Sequence, residues 1–172
     1  KIINQKHFNR ILSLIDKDKI VYGGNYNKET LKIEPTIVDN VNWDDNIMKE
    51  EIFGPIFPLL TYKDLDEVIQ KIIQMPNPLA LYIFTKNKYL ENKLLEMIPA
   101  GGCCINDTVT HIATNYLPFG GIGESGMGSY HGKAGFDTFT HYKSVLKKLN
   151  LDVPIRYAPY DNKLIKVLKK IM

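Results

Sequence analysis

Leu79-Ala80-Leu81-Tyr82-Ile83-Phe84-Thr85 is a near-continuous apolar run, with Pro76 and Pro78 before it and Lys86-Asn87-Lys88 after it. A run of this length and composition predicts a strand buried on both faces, as in a parallel sheet. Before it, Leu65, Val68, Ile69, Ile72 and Ile73 recur at helical spacing. Asp64 stands at their start with Glu67 three residues on, which predicts a capping box with Asp in place of Ser or Thr. After it, Lys88 to Ile98 predicts a second helix, stopped by Pro99 and Gly101-Gly102. Ile56 to Leu60 and Cys103 to Ile105 complete the pattern as strands. Strand, helix, strand, helix, strand between Ile56 and Asn106 predicts an α/β fold with a parallel-type sheet and flanking helices.

Outside this unit the signals are shorter. Phe8, Ile11, Leu12 and Ile15 predict an amphipathic helix from Asn4 to Ile15. Lys19 to Tyr22 and Ile33 to Val38 read as strands, the latter with Pro35 at an edge or a strand start. Asp39 to Lys49 is polar and loop-like. Leu117 to Gly135 is glycine-rich and predicts loop, Phe136 to Thr140 a helical turn, and Tyr142 to Leu149 a strand. The tail Lys163 to Met172 is basic, with Leu164, Val167, Leu168 and Ile171 on one side of a helix. Three portions result: 1–140 as the main α/β body, 141–150 as an arm and 151–172 as a basic amphipathic tail.

The chain has 172 residues, 44% apolar and 24% charged, with a net charge of +3. This is an ordinary composition for a globular domain and does not argue for nucleic acid. The two cysteines, Cys103 and Cys104, are neighbours, which excludes a disulfide framework and suits a reduced, cytoplasmic setting. No apolar run reaches the ~18 residues of a membrane helix, although the tail suits weak surface binding. Two Cys and four scattered His do not match zinc spacing, so no metal is expected. Lys1-Ile2-Ile3-Asn4 opens without Met and runs straight into a helical pattern, which reads as a fragment or a processed piece.

Two segments carry chemistry. In Glu50-Glu51-Ile52-Phe53-Gly54-Pro55, two carboxylates precede an apolar turn. A carboxylate can accept both hydroxyls of a ribose, in contacts worth roughly 1.5–3 kcal/mol each, and an aromatic ring two residues on can meet a flat heterocycle. Composition alone favours a plainer reading, a solvated acidic turn with a packed Phe. The second segment, Leu117-Pro118-Phe119-Gly120-Gly121-Ile122-Gly123-Glu124-Ser125-Gly126-Met127-Gly128, contains G-x-G-x-x-G. It neither follows a strand nor opens a helix, so it is not a phosphate-cradling loop, and no self-contained dinucleotide module is expected. Its glycines predict close backbone approach. Cys103 and Cys104 sit in a predicted strand and read as packing residues rather than nucleophiles. His111, His131 and His141 are candidates for acid–base chemistry, with a packing role as the plainer alternative.

The first of these segments resembles the E-E-I-F-G-P segment of the aldehyde dehydrogenase family. The second resembles that family's P-F-G-G-x-x-x-S-G-x-G, in the form G-G-I-G-E-S-G-M-G found in class 3, fatty-aldehyde members. Ser129-Tyr130-His131-Gly132-Lys133, Asn106-Asp107 followed by His111, Ile2-Ile3-Asn4 with His7-Phe8, and Phe136-Asp137-Thr138-Phe139-Thr140-His141 fall in the same order, so the resemblance spans about 1–149.

The resemblance implies part of an aldehyde dehydrogenase catalytic domain. It implies oxidation of aliphatic, fatty or aromatic aldehydes to acids through a cysteine thiohemiacetal, with NAD or NADP. It implies that Glu51 binds the nicotinamide ribose and Phe53 contacts the nicotinamide. Val109, Ile112, Ala113, Phe119 and His131 would lie near the aldehyde. The nucleophile and general base belong to a segment before Lys1, so the piece alone is expected to be inactive. Tyr142 to Leu149 would add to a neighbouring subunit's sheet in a homodimer. The alternative reading is a non-catalytic remnant of the same scaffold.

Overall fold

The computed structural model describes residues 1–152, 157–159 and 162–171. Helix α1 (Gln5–Leu14) begins where Asn4 accepts a hydrogen bond from the His7 amide at 2.9 Å. Strands β1 (Ile20–Tyr22), β2 (Tyr26–Asn27), β3 (Lys32–Ile33) and β4 (Thr36–Val38) follow, and then β5 (Ile56–Pro58). Next come α2 (Leu65–Ile73), β6 (Ala80–Ile83), α3 (Lys88–Met97) and β7 (Gly102–Ile105). Short helices α4 (Thr110–Ala113) and α5 (Gly132–Thr138) and the tail helix α6 (Asn162–Ile171) complete the order.

The apolar spacing of α1 has the predicted effect. Phe8 and Ile11 are fully buried and share one core with Ile33, Val38, Val41, Ile47 and Ile56. This packing brings α1 together with the sheet β1-β4-β5, in which β4 lies between an antiparallel β1 and a parallel β5. Pro35 falls immediately before β4 and marks its start, which leaves this central strand intact. The predicted strand Ile33 to Val38 therefore divides at Glu34 and Pro35, with β3 turning back on β2 as a separate antiparallel pair. Buried Thr36 is satisfied locally. Its hydroxyl accepts from the Gly24 amide at 3.0 Å and donates to the Glu34 carbonyl at 2.8 Å.

The βαβαβ pattern forms with its elements in the expected order, but as two sheets. β6 and β7 pair in parallel, Ala80 opposite Gly102 through Ile83 opposite Ile105, with α3 as their crossover. β5 joins β4 instead. Apolar runs specify strands but not partners, and that choice is lost on inspection of the pattern alone. β6 also differs from expectation in burial. Ile83 is covered while Tyr82 and Phe84 are exposed, so the described residues pack its two faces unequally. At the start of α2, Asp64 accepts from the Asp66 amide at 2.8 Å, and this replaces the predicted box with Glu67. An ion pair from Lys93 to Asp66 joins α3 to α2 and raises the Lys93 pKa above its ordinary value.

The glycine-rich stretch folds as a strap. Phe119 and Tyr130 exchange two backbone hydrogen bonds of 2.9 Å, closing the loop between them. The strap lies backbone to backbone on the entry to β7: a Cβ on Gly101 would fall 2.3 Å from the Gly120 carbonyl oxygen. Close approach is therefore why these residues lack side chains, as expected. Gly123–Ser125 forms one 3-10 turn and opens no longer helix. Helix α5 starts earlier than predicted, at Gly132.

The segment 142–149 has no strand partner among the described residues of this chain. It belongs to no strand among the described residues, and Val145, Leu146 and Leu149 are exposed. A strand exists through its ladder, and this chain offers these residues none. Its first residue is anchored, however, because the Tyr142 phenol donates to Asp137 Oδ1 on α5 at 2.5 Å. In the tail, α6 is helical as predicted, and of the side chains read as its apolar stripe only Val167 lies within the described ones.

Phe8→Ala is expected to lower unfolding stability by about 3–5 kcal/mol, the cost of a large cavity in a packed core. Ile3→Ala, at a position 84% exposed, is expected to shift it by under about 0.5 kcal/mol. Urea denaturation of the chain measures both, and equal midpoints would contradict the core assignment.

Candidate functional site

The acidic hexapeptide forms the link from a 3-10 turn (Asn46–Met48) into β5. Its backbone is held from α1. Arg10 Nη1 donates to Glu50 Oε1 at 2.9 Å and to the Glu51 carbonyl at 3.2 Å, and Nη2 donates to the Ile52 carbonyl at 2.6 Å. Beside this fork, Ile11 packs so closely on Gly54 that an added Cβ would lie 2.8 Å from Ile11 Cδ1. Held in this way, the turn leaves its functional groups free. The Glu51 side chain is exposed, and the Phe53 ring is 81% exposed. Phe53 takes a left-handed backbone, φ 48°, which a large L-residue adopts only under constraint. An exposed carboxylate with an exposed ring two residues on, both on a fixed backbone, suits a ribose joined to a flat heterocycle.

The second group gathers around α4 and the strap. Val109 is the N-cap residue of α4 and takes φ 64°, while Ile112 and Ala113 lie within the helix. His111 on the same helix meets Phe119 edge-on at 6.0 Å and Tyr82 of β6 at 5.8 Å. Phe119 stacks on His131 at 6.3 Å, and Tyr130 meets both rings, at 5.7 Å and 4.3 Å. Both His111 ring nitrogens and His131 Nδ1 are shielded from solvent, with no hydrogen-bond partner among the described residues. His131 sits at φ 85°. The structure thus brings Phe119 and His131 together, with Val109, Ile112 and Ala113 on the helix that carries their neighbour His111. No described contact joins this group to Glu51 or Phe53.

Cys103 has little nucleophilic character. Burial, and then the adjacent Cys104, push the Cys103 thiol above its usual pKa. Cys104 Sγ lies 3.4 Å from Thr110 Oγ1. Both are half-buried in β7. Among the described residues, no three His, Cys, Asp or Glu side chains converge as a metal site would need.

Three parts of the site were not legible in advance. Arg10 lies forty residues from the turn it grips, and its helical spacing shows only a polar face. Tyr82 and Tyr130 looked like ordinary strand and loop aromatics. The positive φ of Phe53, Val109 and His131 leaves no mark in residue type. The paired glycines and tyrosine around His131 were the available hint for the strap's ring cluster.

The fold and these two loops define an α/β protein with an exposed acidic–aromatic turn at Glu51 and Phe53 and a ring cluster around Phe119. Residues 1–145 match the model of the Aldehyde dehydrogenase family, and the chain belongs to that family. It is 48% identical to Aldehyde dehydrogenase family 3 member H1 of Arabidopsis thaliana, over 100% of this chain and 37% of that protein. It is 43% identical to the dimeric NADP-preferring aldehyde dehydrogenase of Rattus norvegicus, over 93% of this chain and 35% of that one. The structure overlays a substrate-bound state of Staphylococcus aureus AldH with TM-score 0.87 and 44% identity, covering 100% of this chain and 38% of that one. The chain therefore spans little more than a third of the length of these relatives.

Cys103 is expected to alkylate slowly, reaching half its maximal rate with iodoacetamide at a higher pH than a free thiol does. Mass spectrometry of pH-stepped samples reads this. Fast labelling at pH 7 would reveal an activated thiolate and overturn the assignment.

Proposed function

We propose that this chain is the coenzyme- and substrate-facing portion of an NAD- or NADP-dependent aldehyde dehydrogenase that oxidises aliphatic, fatty or aromatic aldehydes to carboxylic acids. The observation that carries the reading is the turn at Glu51 and Phe53, whose backbone is fixed while both side chains are open to a ligand. Glu51 accepts hydrogen bonds from the nicotinamide ribose, and Phe53 sets the limit of the ring's movement. When bound, the coenzyme supplies the hydride acceptor. Val109, Ile112, Ala113, Phe119 and His131 line the approach of the aldehyde, and their largely apolar surface suits a hydrophobic chain.

The part played by the remaining length of the enzyme is chemical as well as structural. Burial pushes the Cys103 thiol above its usual pKa and both cysteines are half-buried in β7, which supports a nucleophile and base supplied by another segment. The three portions take separate tasks: 1–140 builds the site, 141–150 reaches a second subunit, and 151–172, the basic amphipathic tail, suits weak binding to a membrane surface. The exposed apolar residues of 142–149 suit strand addition in a homodimer, and the rat relative is named as dimeric. No helix of the described residues is long and apolar enough to cross a membrane, and the reduced cysteines suit a cytoplasmic setting.

The isolated chain is expected to oxidise no aldehyde. In the longer enzyme, Glu51→Gln is expected to raise the coenzyme KM by about tenfold, the equivalent of one charge-assisted hydrogen bond, with little change in aldehyde KM. Steady-state kinetics with either coenzyme checks this. Turnover by the isolated chain that depends on Cys103 or Cys104 would defeat the proposal.

A further inference from the structure

One turn of α1 holds the Glu50–Pro55 segment in two different ways. Ile11 presses on Gly54 through apolar contact, and Arg10 holds the backbone through charge-assisted hydrogen bonds. The two carbonyls that accept from the guanidinium are those of Glu51 and Ile52, so both peptide groups between Glu51 and Phe53 are pinned. Glu50 accepts from Nη1 on the outer side and keeps the fork oriented. A left-handed Phe53 is not a conformation the segment holds by preference, and it persists only when its surroundings impose it.

We propose that Arg10 is a positioning residue for the nicotinamide-ribose site: it sets the aim of Glu51 and Phe53 without touching the coenzyme. This rests on the reading of Glu51 as the ribose ligand. The geometry requires arginine in particular. A planar guanidinium serves the Glu51 and Ile52 carbonyls from two nitrogens at once, whereas the ammonium of lysine is a single point charge that can keep Glu50 and at most one carbonyl. Loss of the fork lets the turn relax toward ordinary backbone angles. The carboxylate and ring then search several positions before a coenzyme fits.

The test uses the longer enzyme that carries this segment, with NAD or NADP as the varied ligand. Arg10→Gln is expected to raise the coenzyme KM about tenfold, with aldehyde KM near wild type. The isotope effect on kcat with 1-deuterated aldehyde is expected to grow, because a poorly aimed ring slows hydride transfer. Arg10→Lys is expected to recover part of both losses. Glu51→Gln is measured in parallel. A raised coenzyme KM in Glu51→Gln with wild-type values in Arg10→Gln overturns the role of Arg10 alone. Unchanged coenzyme KM in Glu51→Gln overturns the ribose reading itself. A lower melting temperature in Arg10→Gln with wild-type coenzyme KM and isotope effect assigns Arg10 to stability only, and overturns the proposal. Should Arg10→Gln not fold, Arg10→Lys decides, a raised coenzyme KM supporting the proposal and a wild-type one refuting it.

Discussion

The burial of Phe8 and Ile11 beneath the sheet β1-β4-β5 is the interaction on which the placement of the Glu50–Pro55 turn depends. Two side chains on one helical stripe fix both the height and the rotation of α1 against the core. That rotation decides where Arg10 points. Because the arginine sits next to a fully buried residue, its fork has little freedom to follow the turn it holds. Stability and site geometry are therefore set by neighbouring residues of the same helix. Apolar packing provides the rigidity, and the guanidinium spends it on a loop that would otherwise relax.

How far the fold was legible depended on range. Local signals worked well. The α1 stripe, the prolines after α2 and the Pro99 stop each act within a few residues, and each marks its boundary within about three residues. Signals that involve pairing did not. Nothing in Ile56 to Leu60 tells that β5 will join β4 rather than β6, since both choices bury the same side chains in a parallel pair. The segment 142–149 follows the same rule: alternation describes a strand's two faces but cannot supply its neighbour, and within this chain it pairs with none among the described residues. The site followed the same division. Glu51, Phe53, Phe119 and His131 could be named from short motifs. The grip of Arg10 and the ring of Tyr82, His111 and Tyr130 around Phe119 arise only when distant segments meet.

Backbone strain is distributed unevenly over the candidate residues. Phe53, Val109 and His131 all occupy the left-handed region, and Val109 is β-branched, for which that region is especially costly. Each lies beside an element that restrains it: the Arg10 fork, the start of α4 and the start of α5. Residues held in such conformations cannot yield to a ligand by small backbone adjustments, so the shape they present is largely settled before anything binds.

The contact between Gly101 and Gly120 joins the cysteine-bearing strand to the strap that carries Phe119. Where two segments touch through side chains, a rotamer change can absorb a small displacement. Here main chain rests on main chain, and there is no such buffer. Strand and strap therefore move as one lever. A displacement at the start of β7 is passed to Phe119 and the rings packed on it, with no side chain between them to take it up.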